Sequence, residues 1–192
     1  MIGRDKRDAR NEKIRCFIAI DFPDEILKEV ARIQEELEKI KFNGKIVELE
    51  NLHLTLKFMG EVDDLKLEKI KNKLNEIKFK PFEVKLGEIG VFNIRGRPNI
   101  VWIKLEGKEI WDLQKQIDGK MREIGFEMEE RFMSHITIAR IKYVSDKNNF
   151  VERVKNIGVK GIAFKIDKFR LIKSELRMMG PVYTAIEEFK GE

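Results

Sequence analysis

Apolar residues recur along this chain with two periodicities, and together these divide it into helices and strands. A spacing of three or four residues predicts four amphipathic helices, whose apolar faces run over residues 26–40, 67–77, 110–124 and 150–157. Alternating or continuous apolar runs predict strands at residues 14–20, 46–49, 52–59, 81–91, 99–105, 126–130, 133–141, 162–171 and 182–189. The alternation changes parity around Gly87, which predicts a β-bulge there.

The order of these elements repeats. A unit of strand, helix, two strands, helix and strand occurs twice, over about residues 14–92 and 98–189. Such a duplication predicts an α+β fold with two pseudo-symmetric lobes around a central groove, each lobe a mostly antiparallel sheet with helices on its outer face. We therefore expect residues 14–192 to form a single bilobal domain and residues 1–13 to be a flexible basic tail.

One short motif occupies the same place in each repeat: His53-Leu-Thr-Leu56 and His135-Ile-Thr-Ile138. These are the only two histidines of the chain, which has three threonines. In a strand, residues i and i+2 share a face, so each His lies beside a Thr. Leu52, Leu54, Leu56 and Phe58 are predicted to form the opposite, buried face of the first strand. We expect the two His/Thr faces to meet across the groove.

A single motif of this kind would be explained most simply by an ordinary half-buried strand. The duplication, which includes every histidine, favours a catalytic site instead. Two imidazoles can supply one base and one acid near neutral pH, and threonine hydroxyls can donate hydrogen bonds to phosphate oxygens. The predicted reaction is phosphodiester cleavage without a metal ion or other cofactor, since two histidines without clustered carboxylates cannot build the usual dinuclear site.

The residues around both motifs resemble those of the two-histidine phosphoesterases, and within them the RNA 2′,3′-cyclic phosphodiesterases, once named 2′-5′ RNA ligases. The resemblance extends from about Arg15 to the end of the chain. Two residues depart from the family pattern: Ser134 stands where proline is usual, and Ile138 stands where leucine is frequent. The matching stretches are Arg15-Cys-Phe-Ile-Ala-Ile20, His53-Leu-Thr-Leu-Lys-Phe-Met-Gly60, Gly90-Val-Phe92, Pro98-Asn-Ile-Val-Trp102, Arg131-Phe-Met-Ser-His-Ile-Thr-Ile-Ala-Arg140, Leu171-Ile-Lys-Ser-Glu-Leu176 and Gly180-Pro-Val-Tyr183.

This resemblance implies hydrolysis of a terminal 2′,3′-cyclic phosphate on RNA to a 2′-phosphomonoester, with reverse 2′-5′ ligation as a further possibility. His53 would be the proton donor to the leaving oxygen, and His135 the proton acceptor that activates water. Thr55 and Thr137 would hold the phosphate. The candidate substrate contacts are Lys57, Arg97, Arg140 and Tyr183. For each of the three basic residues, the alternative is an ordinary solvated surface charge.

Two other functions stay open at this point. One is a phosphodiesterase acting on 2′-5′ oligonucleotides or on another cyclic nucleotide phosphate. The other is a non-catalytic module that binds RNA ends, which the intact His and Thr of both motifs disfavour. In each case the expected partner is nucleic acid, foremost RNA 3′ ends with a cyclic phosphate, tRNA fragments among them.

The composition limits which partners, cysteine chemistry and cellular location we expect for the protein. The 39 Lys and Arg residues exceed the 34 Asp and Glu residues, and the net charge of +5 is a mild bias toward polyanions. Cys16 is the only cysteine, which excludes an intrachain disulfide and a thiolate metal cluster. Because no apolar stretch reaches transmembrane length, we expect a cytoplasmic monomer without a membrane partner.

Overall fold

Two antiparallel sheets with helices on their outer faces make up the computed structural model, which describes residues 13–178 and 180–192. The predicted α+β fold with two lobes around a groove is confirmed. The predicted tail lies almost wholly outside the described residues.

The described residues form four helices and nine strands. Asp63 and Asp146 cap the second and fourth helices, since their carboxylates accept the backbone N–H groups of Lys66 and Asn149 at 2.8 and 3.0 Å. The helices are α1 (Asp24–Glu38), α2 (Asp64–Asn75), α3 (Lys108–Glu123) and α4 (Lys147–Lys155). The strands are β1 (Ile14–Ile20), β2 (Asn43–Ile46), β3 (Leu54–Val62), β4 (Phe82–Ile94), β5 (Arg97–Glu106), β6 (His135–Tyr143), β7 (Ala163–Ile166), β8 (Lys168–Arg177) and β9 (Gly180–Lys190).

Each sheet draws strands from both halves of the chain. The first sheet has the order β3-β1-β8-β9, and the second has the order β2-β6-β5-β4-β7. The first half thus gives β4 to the second sheet beside β5, and the second half gives β8 to the first sheet beside β1. Neither sheet therefore consists of strands from only one of the sequence repeats, about 14–92 and 98–189.

Two of the four helices are exchanged in the same way. α1 packs on β6 of the second sheet, where α4 packs on β4 and β5, whereas α3 packs on β3 of the first sheet and also contacts α2. A continuous core of buried aliphatic and aromatic side chains lies between the sheets and these helices. The inner faces, which carry the two motifs, are left for the groove.

Three predicted strands differ in the structure. Residues 126–130 form no strand, because side chains bind their backbone: Glu129 N donates to Asp118 Oδ2, and Glu127 O accepts from Lys57 Nζ. The strand expected at 46–49 lies earlier, as β2, and the run expected at 162–171 is divided at Asp167 into β7 and β8, which belong to different sheets. The bulge predicted near Gly87 is confirmed by the register shift between Leu86 and Ile89.

Candidate active site

The two motif strands carry the same irregularity at the same place. In β3 the pairing skips Leu56, since Ala19 lies opposite Thr55 and Ile18 opposite Lys57. In β6 it skips Ile138, since Trp102 lies opposite Thr137 and Val101 opposite Ala139. Such a bulge moves the following side chains to the other face of the sheet.

These bulges decide which side chains reach the groove. Thr55 lies opposite Ala19, which belongs with Phe17, Ile172 and Tyr183 to a small apolar cluster separate from the main core. Beyond the bulge, Phe58 lies opposite Phe17 and therefore shares this inner face. Arg140 follows the bulge of β6 in the same way. The inner faces of both sheets thus carry a His, a Thr and one large side chain after the bulge.

Both histidines are held in one tautomer by the same local contact. His53 Nδ1 lies 2.8 Å from the carbonyl oxygen of Asn51, and His135 Nδ1 lies 2.7 Å from that of Met133. A carbonyl oxygen only accepts, so each Nδ1 carries the proton and donates it. In the neutral ring this leaves Nε2 as the nitrogen that can take up a proton, which is the arrangement that acid–base chemistry at Nε2 requires.

The two half-buried imidazoles influence each other across the groove. β3 and β6 contact one another although they belong to different sheets. Burial lowers the pKa of His53 below its usual 6.5; the Asn51 carbonyl and Asp21 oppose this, while Arg140 and His135 add to it. Burial likewise lowers the pKa of His135, against the effect of the Met133 carbonyl. The electrostatic effect of His135 on His53 is consistent with the predicted meeting of the two motifs.

Aromatic rings pack against both imidazoles. The Tyr183 ring meets His53 edge to face at 5.2 Å between centroids, and the Phe92 ring meets His135 in the same way at 5.1 Å. Phe17 adds a tilted contact to His53 at 4.7 Å. These rings limit the orientations of the imidazoles and exclude water from part of each ring, which is the physical reason for the lowered pKa values.

Of the four predicted substrate contacts, the structure brings two to the histidines. Tyr183 touches His53, and burial raises the pKa of Tyr183 against an opposing effect of the Arg140 guanidinium. Burial lowers the pKa of His53, and Arg140 adds to that lowering, so the charge of Arg140 reaches both side chains. Arg97 lies farther out, where it pairs with Ile94 beside the two-residue turn Arg95-Gly96 of the β4–β5 hairpin. Both turn residues have positive φ, 51° and 70°, as a tight hairpin turn requires.

The prediction that Lys57, the fourth residue, contacts the substrate is corrected by the structure. The bulge turns it away from the groove, and it is 5% exposed, with its ammonium bound to Asp118 of α3 and to the Glu127 carbonyl at 2.7 Å. The same bulge overturns the prediction that Phe58 is buried, because its side chain is 66% exposed. The alternation of apolar and polar residues along the strand could not predict which face Lys57 or Phe58 occupies, because the bulge interrupts that alternation.

Sequence reasoning also missed site residues outside the motifs. Phe17 and Phe92 lie within stretches that resemble the family, yet in isolation each is an ordinary apolar strand residue. Asp21 follows β1 and forms an ion pair with Arg170, and its carboxylate partly opposes the lowering of the His53 pKa that burial causes. The one available signal for Asp21 was a carboxylate immediately after a central strand.

The lowered histidine pKa values predict a loss of stability in mild acid. In the unfolded chain the imidazoles have the usual pKa of about 6.5. Below neutral pH the unfolded chain therefore binds more protons than the folded protein, in which both pKa values are lowered. The free energy of unfolding therefore falls as the pH falls through and below that value. We expect a smaller fall in the His53→Asn/His135→Asn variant, measured by urea unfolding at about pH 7.5 and about pH 5. Equal falls in both proteins would contradict the effect of burial.

Two further findings concern the described residues. Among them, no cluster of three or more His, Cys, Asp or Glu side chains is placed to hold a metal ion. Within the same ranges, no helix has both the length and the apolar character needed to cross a membrane.

Known proteins match this chain in two parts, which correspond to the two sequence repeats. The sequence profile of the family described as LigT like Phosphoesterase matches residues 20–102 and residues 104–183, and each range contains one motif. A protein of Methanocaldococcus jannaschii named RNA 2′,3′-cyclic phosphodiesterase is 36% identical over 92% of this chain and 100% of its own length. A protein of Thermotoga maritima with the same name is 34% identical over 93% of this chain and 96% of its own length.

Solved structures agree with the fold. A crystal structure of a Thermus thermophilus protein superposes with a TM-score of 0.81 at 26% identity, covering 93% of this chain and 100% of that one. LigT of E. coli in its apo form superposes with a TM-score of 0.74 at 23% identity, covering 93% of this chain and 98% of that one. The second likeness is one of fold alone.

Proposed function

Because this chain belongs to the LigT-like phosphoesterase family, we propose that it hydrolyses the terminal 2′,3′-cyclic phosphate of RNA to a 2′-phosphomonoester by two-histidine acid–base catalysis. The observation that carries this proposal is the matched pair of imidazoles, each fixed through Nδ1 to a carbonyl two residues earlier. The names of the relatives from Methanocaldococcus jannaschii and Thermotoga maritima support the substrate class.

In the proposed reaction, water attacks the phosphorus and the bond to the 3′ oxygen breaks. His135 Nε2 takes a proton from the attacking water, and protonated His53 gives its Nε2 proton to the departing 3′ oxygen. Thr55 and Thr137 donate hydrogen bonds to the non-bridging oxygens, where charge accumulates. The products are a 2′-phosphate and a free 3′-hydroxyl, and proton exchange with solvent restores both imidazoles.

Substrate charge helps to set these protonation states. Burial disfavours a charged imidazole in the free protein, so both rings are more readily neutral than an ordinary histidine. A bound phosphodiester places a negative charge between them and thereby favours one additional proton. The site becomes an acid–base pair when it is occupied. Since the two rings share that proton's charge, their apparent pKa values belong to the pair.

A substrate panel tests the proposal. The purified protein is offered RNA ending in a 2′,3′-cyclic phosphate, 2′,3′-cyclic mononucleotides, 2′-5′ linked oligomers, and 2′-phosphorylated RNA with a 5′-hydroxyl RNA for the reverse ligation. We expect the cyclic-phosphate substrates to be converted to 2′-phosphates. Binding without turnover would instead favour an RNA-end binding module, and exclusive cleavage of 2′-5′ linkages would favour the other phosphodiesterase.

The same assay is expected to proceed unchanged in EDTA. His53 and His135 provide both proton transfers in the proposed mechanism, so no step draws on a metal-bound hydroxide. Activity that disappears with the chelator and returns with one divalent cation would contradict the mechanism while leaving the substrate class intact.

A further inference from the structure

The two imidazoles make the same hydrogen bond, so this contact does not decide which histidine carries the catalytic proton. Each Nδ1 donates to a carbonyl oxygen two residues earlier, at 2.8 Å for His53 and 2.7 Å for His135. Phe17 and Tyr183 pack on His53, whereas Phe92 packs on His135. The proposed acid is thus the more enclosed ring, and burial disfavours a charged imidazole. Another feature of the site has to favour the proton on His53.

Cross-strand pairing places side chains of opposite charge at the level of the two histidines. Ile20, the last residue of β1, is paired with the residue that follows His53, so Asp21 stands at the level of His53. In the second sheet the equivalent position is Lys104 of β5, which is the Cα partner of His135. Side chains directly opposite one another in an antiparallel pair share a face of the sheet. The first histidine therefore has a carboxylate in this position, and the second has a lysine.

One guanidinium holds the Asp21 carboxylate on the inner face of the first sheet. Arg170 of β8 is the Cα partner of Ala19, and its Nη1 binds Asp21 Oδ2. The same guanidinium donates two hydrogen bonds to Glu188 Oε2 on β9, from Nε at 2.9 Å and from Nη2 at 2.8 Å. Because the guanidinium is shared between two carboxylates, it fixes the position of Asp21 and compensates only part of its charge.

The charge of Asp21 reaches the first imidazole. The charged and titratable side chains that face His53 are Asp21 after β1, Arg140 and His135 on β6, and Tyr183 on β9. Burial lowers the pKa of His53; after the backbone carbonyl, Asp21 is the next influence that opposes this, and it exceeds the lowering effect of Arg140 or of His135. Burial also lowers the pKa of His135, where the opposing influence is a backbone carbonyl and not a side-chain carboxylate.

We propose that Asp21 directs the catalytic proton to His53 and so makes this histidine the acid of the pair, with His135 left neutral as the base. This inference rests on the proposed function and adds what assigns the two roles. A phosphodiester between the rings attracts one proton, and the carboxylate beside His53 decides which ring holds it. Asp21 is a positioning residue, because it acts by stabilising the imidazolium of His53 and does not exchange the proton itself.

The first test follows the two imidazoles directly. Because the chain has only two histidines, NMR can follow the titration of each ring in the free protein, and the His135→Asn variant identifies the two signals. Asp21→Asn keeps the size of the side chain and removes its charge. We expect the His53 midpoint to move to lower pH in this variant and the His135 midpoint to move less. An unchanged His53 midpoint would disprove the role of Asp21, whatever the activity of the protein.

The second test is the pH profile of kcat/KM on adenosine 2′,3′-cyclic phosphate, from about pH 5 to about pH 8.5. At the alkaline end the protonated fraction of His53 limits the rate, so Asp21→Asn is expected to lose about 3- to 10-fold. The loss should shrink toward the acidic end, because His53 is protonated there with or without the carboxylate. Asp21→Glu, which keeps the charge, should recover most of the activity.

Asp24→Asn is the matched control, because Asp24 is an exposed carboxylate three residues farther along, in the first turn of α1. It is expected to leave the His53 midpoint and the pH profile unchanged. If wild type hydrolyses no cyclic phosphate, the proposed function is wrong and this inference falls with it. If wild type is active and Asp21→Asn loses nothing, or loses equally at every pH as a structural defect would, the proposed function stands and the role of Asp21 is wrong.

Discussion

Replacing His53 or His135 by Ala is expected to lower kcat on cyclic-phosphate RNA by about 10²–10⁴-fold, which is the usual contribution of a positioned acid or base. The double variant should be little worse than either single variant, because the two imidazoles act on one phosphate as a unit. Thr55→Val and Thr137→Val should cost less, at most about 10²–10³-fold, as each removes one donor to the developing charge.

The chain offers a control for these substitutions. Thr184 is the one threonine outside the motifs and is exposed on β9, so Thr184→Val is expected to leave turnover unchanged. Circular dichroism of each variant establishes that the fold is retained. Near-normal turnover in either single His variant would disprove the concerted mechanism, as would losses that multiply in the double variant.

Asp118→Ala is expected to destabilise the fold by about 3–5 kcal/mol, because it leaves the Lys57 ammonium buried without its counter-charge. The two side chains are 3% and 5% exposed. The Lys57→Met/Asp118→Leu variant, which removes both charges, should recover most of that loss. Urea unfolding measures both free energies.

A surface ion pair provides the comparison. Lys120 on α3 binds Glu76 at 2.6 Å, and both side chains are solvent-accessible, so Lys120→Met should cost far less than Asp118→Ala. If Asp118→Ala cost no more than this, the buried pair would have no structural importance. A large cost would show that the buried pair stabilises the contact between β3, which carries the first motif, and α3. Lys57 also binds the Glu127 carbonyl in the segment before His135.

The sequence pattern predicted well what depends on periodicity. The helices, the central first strand and the bulge near Gly87 follow from spacing and turn chemistry, because burial of an apolar face imposes that spacing. Repetition of a rare motif identified His53, Thr55, His135 and Thr137 as the candidate site. None of these inferences needed to know which strands pair.

The failures share a different cause. Lys57 and Phe58 were assigned to the wrong faces because the bulge at Leu56 interrupts the alternation, and Leu56 itself has no unusual feature. Residues 126–130 have a strand-like composition but bind side chains, and that depends on Lys57 and Asp118, which are distant in sequence. Strand exchange between the halves is likewise a tertiary property, and the pattern of residues within one short segment cannot predict it.

That exchange has a consequence for the origin of the site. A chain consisting of the first half alone would hold β1 and β3 without β8, and β4 without β5, so each sheet would lack strands that pair in the whole protein. It could complete them only by trading strands with a second copy of itself, as in a domain-swapped homodimer. Each groove of that dimer would combine one histidine from each subunit, and its assembly would depend on protein concentration. Fusion of the two halves in one polypeptide removes that dependence and also frees the positions of Phe58 and Arg140 to diverge, which no symmetric dimer allows.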